Sequence, residues 1–113
     1  MENQVELRKD IGKYFEKYTE RMPDVGEAYQ LSTATAYKSG EISSKIKRLM
    51  ALTAALTSGC RGCILSQTGH ALDQGATVEE IFEACGVAIS IGGTMAAAET
   101  TRVVKYLEEL GKI

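Results

Sequence analysis

In the stretch Thr57-Ser58-Gly59-Cys60-Arg61-Gly62-Cys63-Ile64-Leu65, two cysteines stand three residues apart, where one helical pattern ends and the next begins. That placement favours thiol redox chemistry. A cysteine in the first turn of a helix meets unpaired backbone N–H groups and the positive end of the helix dipole, both of which favour thiolate over thiol. Cys63, one turn on, falls beside Cys60 on nearly the same face, so that the pair can close into a disulfide and an oxidised sulfur on one can be resolved by the other. The competing readings are two ordinary cysteines or half of a zinc site. Downstream, Gln67 and His70 continue the stripe begun by Cys63 at i+4 and i+7. Gln67 is within reach of Cys63 directly or through water. His70 is roughly 10 Å further along the axis, too far to take a thiol proton except through a water bridge. The bland alternative for His70 is a partly buried histidine satisfied by a local partner.

The elements that must position these residues all read as helices. Leu7, Ile11, Tyr14, Tyr18 and Met22 recur at helical spacing in the first, which Pro23 ends while opening the next. The second runs from about Asp24 to Ser39 with Val25, Ala28, Leu31 and Ala36 on one face and Gly40 as its expected cap; Tyr29 and Tyr37 could face the core or a partner. Ser43 is an N-cap for a third helix with Ile46, Leu49, Met50, Thr53, Ala54 and Leu56 inward. Ser58-Gly59 breaks it, and the fourth helix runs from about Cys60 to Gln74, with Gly75 as its stop. Thr77-Val78-Glu79-Glu80 reads as a capping box for a fifth helix carrying Ile81, Ala84, Cys85, Ala88 and Ile89 inward. Gly92-Gly93 interrupts the pattern, and a sixth helix follows from about Thr94, with Met95, Ala98, Val103, Tyr106, Leu107 and Leu110. If Ser58-Gly59 is a tight reversal, the third and fourth helices form an antiparallel hairpin. Arg48 then lies level with Gln67 to His70, and Thr53 and Thr57 approach the cysteine end. Cys85, on an apolar face, reads as a small core residue.

The chain of 113 residues is expected to form a single all-helical domain, 1–113, with a modest core that oligomerisation would help. Its 13 Lys and Arg against 15 Asp and Glu are well mixed, and the one local basic group, Lys45, Lys47 and Arg48, is no footprint for nucleic acid. Met1 to Glu6 shows no signal-peptide pattern, and the weakly polar stretch from Ala84 to Ala98 is too short and too rich in glycine and alanine to span a bilayer. Cytoplasmic location, with no membrane partner, is the default expectation. In a reducing compartment a close cysteine pair is more often catalytic or metal-binding than structural.

The run Leu49-Met50-Ala51-Leu52-Thr53-Ala54-Ala55-Leu56-Thr57-Ser58-Gly59-Cys60, the CxxC, Gly75-Ala76-Thr77-Val78-Glu79-Glu80-Ile81 and Ala88-Ile89-Ser90-Ile91-Gly92-Gly93 together resemble the carboxymuconolactone decarboxylase family, in particular its alkyl hydroperoxidase D-like branch. The match covers about residues 43–93. What the resemblance implies is an all-α fold of about six helices with the CxxC at the start of the fourth. That helix would be packed in a subunit interface of a homo-oligomer, a trimer or hexamer. Redox-active members reduce hydroperoxides: a thiolate attacks the O–O bond, a sulfenic acid forms, and the other cysteine closes a disulfide that an external thiol or dithiol reductant reopens, with no bound cofactor or metal. Those members also carry a glutamate and a histidine that relay protons. This chain has Arg48 and Gln67 at those places, neither of which can act as a base.

Four functions follow for weighing. The leading one is a thiol-dependent peroxidase or disulfide oxidoreductase, with peroxiredoxin-like activity on Cys60 and Cys63, Cys63 attacking and Cys60 as partner. Gln67, His70 and Arg48 are relay or pocket candidates; Arg48 could hold a thiolate or anion. The others are decarboxylation of a carboxylated lactone, in which a CxxC has no role; a zinc module, for which a second close ligand pair is missing; and a redox-inactive oligomeric member of the family.

Overall fold

Most of the turn signals in the sequence find a backbone consequence. The computed structural model describes residues 1–113 as five helices without strands: α1 (Gln4–Arg21), α2 (Pro23–Tyr37), α3 (Ser44–Ser58), α4 (Arg61–Asp73) and α5 (Val78–Glu109). Pro23 occupies the first position of α2, where its missing N–H costs nothing. Ser43 caps α3 by accepting the Ile46 N–H at 3.2 Å. Gly59 ends that helix at φ 70°, a left-handed conformation that favours glycine. Thr77 and Glu80 form the reciprocal capping box at the start of α5, and Glu80 also pairs with Lys45 of α3 at 2.9 Å.

The break expected at Gly92-Gly93 is present and confined to one residue: Gly93 adopts φ 64°, ψ −142° and kinks the chain, so that the expected fifth and sixth helices form the two arms of α5. One boundary differs from the sequence-based expectation. Gly40 does not cap α2; the helix ends at Tyr37, and the extended backbone of Lys38 (φ −61°, ψ 135°) leads the chain away. By length and composition α5 is apolar enough to cross a bilayer. Its residues Ile81, Cys85, Ala88, Ala96, Val103 and Leu107 are nevertheless buried in the protein core.

That core is built from α3, α4 and α5, with Leu52, Ala55 and Leu56 meeting Ile64, Ala71 and the buried face of α5. The expected inward face of α3 is therefore rotated: Ile46, Met50 and Ala54 are exposed, and Leu52 and Ala55 take their place. On α5, Ile89, Met95 and Ala98 are likewise exposed, as is Leu110 just past its end, while Ala96 is buried. The apolar faces of α1 and α2 are not core at all, since Ile11, Tyr14, Tyr18, Met22, Val25, Ala28, Leu31 and Ala36 are exposed. Helical periodicity identifies an apolar face without identifying what covers it.

α1 is fixed by its first turn rather than by its stripe. Glu109 near the end of α5 accepts the backbone N–H groups of Gln4 and Val5 at 2.8 and 3.1 Å, taking two donors that a helix start leaves unpaired. Arg102 holds Glu2 at 3.0 Å and the fully buried Gln4 at 3.2 Å. So anchored, α1 crosses α4 close to the cysteines, with Ile11 against Gly62, where an added Cβ would sit 3.4 Å from the Ile11 Cδ1.

Candidate functional site

The reversal at Gly59 makes Cys60 the N-cap of α4, and its Sγ accepts the backbone N–H of Cys63 at 3.3 Å. This is the position at which a capping side chain normally receives a helix N–H, and in the reduced state it favours a thiolate on Cys60. An S–S bond joins Cys60 to Cys63, with Cα atoms 5.2 Å apart. Cys60 is half-buried and Cys63 exposed, so Cys63 is the more accessible residue of the pair.

The pair opens into a cleft of about 500 Å³ between α1, α2 and α4. Ile11, Gly12, Phe15, Tyr29 and Gly62 form its apolar wall, while Arg8, Ser66 and Gln67 supply polar groups. Phe15 and Tyr29 meet edge to face, ring centroids 5.2 Å apart, which ties α1 to α2 across the opening. Of the residues singled out from the sequence, Cys60, Cys63 and Gln67 line this cleft; Arg48 and His70 do not.

Arg48 sits behind Gln67. Its Nη1 donates to Gln67 Oε1 at 3.2 Å, and its guanidinium carbon lies 3.6 Å from the centre of the Tyr37 ring. The Tyr37 hydroxyl in turn accepts from Gln67 Nε2 at 3.2 Å. Guanidinium can only donate, so the Gln67 carbonyl must face it and the amide NH₂ must face Tyr37. One N–H of that NH₂ group remains uncommitted, and Gln67 therefore offers the cleft a donor rather than an acceptor. Arg48 Nε is buried without a partner, a cost that the stacking and the Gln67 bond offset. The hairpin of α3 and α4 thus meets the sequence expectation of Arg48 level with Gln67.

His70 is held below its ordinary pKa of 6.5, first by burial and then by the charges of Arg48 and Arg8, with Asp73 opposing. It is neutral near pH 7. Cys85 is 2% exposed and free, and burial pushes its thiol up against a hydrogen bond to Thr100. It is a core residue that does not line the cleft, as its apolar context implies. No group of three or more His, Cys, Asp and Glu side chains gathers as a metal-binding cluster.

Sequence reasoning did not single out Arg8, Ile11, Phe15 and Ser66 as site residues, and it left Tyr29 and Tyr37 undecided between core and partner. Five of these six come from α1 or α2 in the first forty residues, and only the tertiary crossing of those helices over α4 brings four of them, Arg8, Ile11, Phe15 and Tyr29, to the cysteines. Ser66 carried a local signal, being one turn past Cys63 on the same helix.

The comparisons with known proteins agree with this geometry. A structure of a carboxymuconolactone decarboxylase family protein from Legionella pneumophila superposes with TM-score 0.91 at 27% identity, covering 99% of this chain and 100% of that one. A Thermotoga maritima family protein, for which a part in the antioxidative response has been suggested, superposes with TM-score 0.71 at 34% identity over 78% of this chain and 90% of its own. Among curated proteins, an uncharacterized protein of Cupriavidus necator is 28% identical over 101 residues, 89% of each chain. An uncharacterized protein of the Paracoccus denitrificans cox locus is 27% identical over 86 residues, 76% of this chain and 78% of that one. The model of the carboxymuconolactone decarboxylase family matches residues 23–106, and with the shared fold and the CxxC at the start of α4 this establishes that the chain belongs to that family.

Proposed function

We propose that this protein is a thiol-dependent peroxidase or disulfide oxidoreductase of the alkyl hydroperoxidase D-like branch, acting through a Cys60/Cys63 dithiol–disulfide cycle. The observation that carries this reading is a disulfide-forming pair at a helix N-terminus, opening into a cleft of substrate size. The Cys63 thiolate attacks the distal oxygen of a hydroperoxide; the O–O bond breaks, and the alkoxide leaves and takes a proton to become the alcohol. The Cys60 thiolate then attacks the Cys63 sulfenic sulfur, the S–O bond breaks, the leaving hydroxide takes up the proton that Cys60 released and becomes water, and the disulfide closes. An external thiol or dithiol returns two electrons and two protons. Exposure and capping support these roles, because Cys63 is the exposed residue of the pair and the Cys60 sulfur is the one held at the helix N-terminus. Gln67 lines the pocket as a hydrogen-bond donor, with Arg48 and Tyr37 fixing its orientation.

The exposed apolar residues of α2 and α5, notably Leu31, Val87 and Ile91, support assembly into a homo-oligomer, a trimer or hexamer by the family resemblance. Cytoplasmic location belongs to the same proposal, since a dithiol cycle needs a reducing supply. One observation favours a second reading. Arg48 and Gln67 are engaged with each other and with Tyr37 where the redox-active members place acid and base, and a redox-inactive oligomeric scaffold would look the same.

Trapping the sulfenic acid decides between them. Cys60→Ser exposed to one equivalent of hydroperoxide is expected to be labelled at Cys63 by a dimedone-type reagent, and Cys63→Ser to remain unlabelled. Label on Cys60 alone would reverse the roles, and absence of label in both would favour the scaffold.

A further inference from the structure

Arg8 is the charged group at the cleft that no feature of the dithiol cycle uses. It is partly buried between α1, α4 and α5, and its Nη1 donates to the hydroxyl of Tyr106, which is 3% exposed, at 2.8 Å. On α4 it presses against Gly69, where even a methyl group would collide with the guanidinium. The absence of a side chain at Gly69 is what lets Arg8 lie there. Yet Arg8 forms no ion pair; the five in the protein involve Lys45, Arg61, Arg102 (twice) and Lys105. An outer groove on its other side adds Lys9 and Lys13 against Glu16, so the neighbourhood is net positive. An anion beside a partly buried guanidinium is favoured, because the low-dielectric wall weakens the hydration of the charge and strengthens its attraction to an opposite one.

We infer that the cysteine cleft binds a carboxylate on Arg8, with a compact apolar or aromatic body against Ile11, Phe15 and Tyr29, so that the hydroperoxides it reduces are carboxylated organic ones. The inference deepens the peroxidase reading and rests on it for the word substrate; the carboxylate site itself stands on Arg8 and the cleft. The volume of about 500 Å³ suits a small aryl or short-chain molecule. Both ends of such a ligand are specified, since Arg8 and the two cysteines line the same cavity. Guanidinium matches carboxylate with paired donors, and with Nη1 already on Tyr106 its remaining N–H groups are free to do so.

Two measurements test this. In the first, the full chain with its disulfide closed is titrated with para-isopropylbenzoate and with para-isopropylbenzamide, followed by calorimetry. The benzoate is expected to bind about tenfold more tightly. Arg8→Gln should remove the difference and Arg8→Lys should keep part of it, with circular dichroism melts confirming that both variants fold. Equal binding of acid and amide to the wild type, or an unchanged preference in Arg8→Gln, overturns the inference. In the second, the reduced chain reacts with para-carboxylated cumene hydroperoxide and with its methyl ester, and the acid is expected to show the lower KM by a similar factor. If the acid binds through Arg8 but neither hydroperoxide oxidises the thiols, the carboxylate site stands and the peroxidase reading fails. If both hydroperoxides react equally well, the peroxidase reading stands and the inference fails.

Discussion

Arg48→Met separates a positioning arginine from one that acts on sulfur. Met keeps most of the apolar stem and removes the guanidinium. What is lost is a charge-assisted hydrogen bond to Gln67, worth about 1.5–3 kcal/mol, and a cation–π contact with Tyr37 of about 0.5–2 kcal/mol. What is relieved is the burial of an unpartnered Nε, about 1–3 kcal/mol. The net expectation is a destabilisation of about 1–2 kcal/mol, or a fall in Tm of roughly 4–8 °C for a chain of this size. Urea and thermal denaturation at fixed protein concentration measure it. Thiolate absorbance followed against pH supplies the decisive second readout. Because Arg48 lies behind Gln67 and outside the cleft wall, the midpoint of thiolate formation should move by less than about half a pH unit. A stability loss well above about 3 kcal/mol would mean that Arg48 has stronger partners than Gln67 and Tyr37. An upward displacement of a full unit or more, reversed by Arg48→Lys, would mean that its charge acts directly on the cysteines.

Three further outcomes are expected. The double change Arg48→Glu with Gln67→His places a carboxylate and an imidazole at positions whose present side chains meet at 3.2 Å, and stopped-flow oxidation of the dithiol should quicken by at least tenfold, toward the roughly 10²–10⁴ of general base catalysis; no gain in a folded variant would show that proton transfer does not limit the step. His70 has a folded-state pKa below its unfolded value, so the unfolded chain binds the extra proton, and stability is fully present above about pH 6.5 and is lost as pH falls through the lowered folded value. His70→Asn should flatten that part of a denaturation-versus-pH curve, and an unchanged slope would count against the assignment. Cys85→Ala should cost about 1–2 kcal/mol in urea denaturation while leaving disulfide closure by peroxide unchanged, and altered closure would give Cys85 a role its burial argues against.

The parts of the fold that could be read from the sequence are those written in local stereochemistry. Ser43, Gly59, Thr77 with Glu80, and Pro23 each satisfy or release backbone groups at a helix end, and a cap needs only its immediate neighbours. Gly40 looked equivalent but is not left-handed, because Lys38 turns the chain out of the helix two residues earlier. Inward faces were less legible. α3 carries apolar residues around most of its circumference, and Leu52 rather than Met50 is covered because α5 packs on that side. The CxxC, Gln67 and the level of Arg48 followed from helical spacing and one tight reversal. Arg8, Phe15 and Tyr29 could not, because their place at the cleft depends on Glu109 and Arg102 anchoring a helix about a hundred residues away in sequence.

The central claim is that Cys60 and Cys63 form a working dithiol. The most direct measurement is to reduce the wild-type chain fully, expose it to excess hydroperoxide, and determine its mass under non-reducing conditions with peptide mapping. The account predicts the loss of two hydrogens, mapped to a Cys60–Cys63 disulfide, with Cys85 still a free thiol. Survival of both Cys60 and Cys63 as thiols would contradict it.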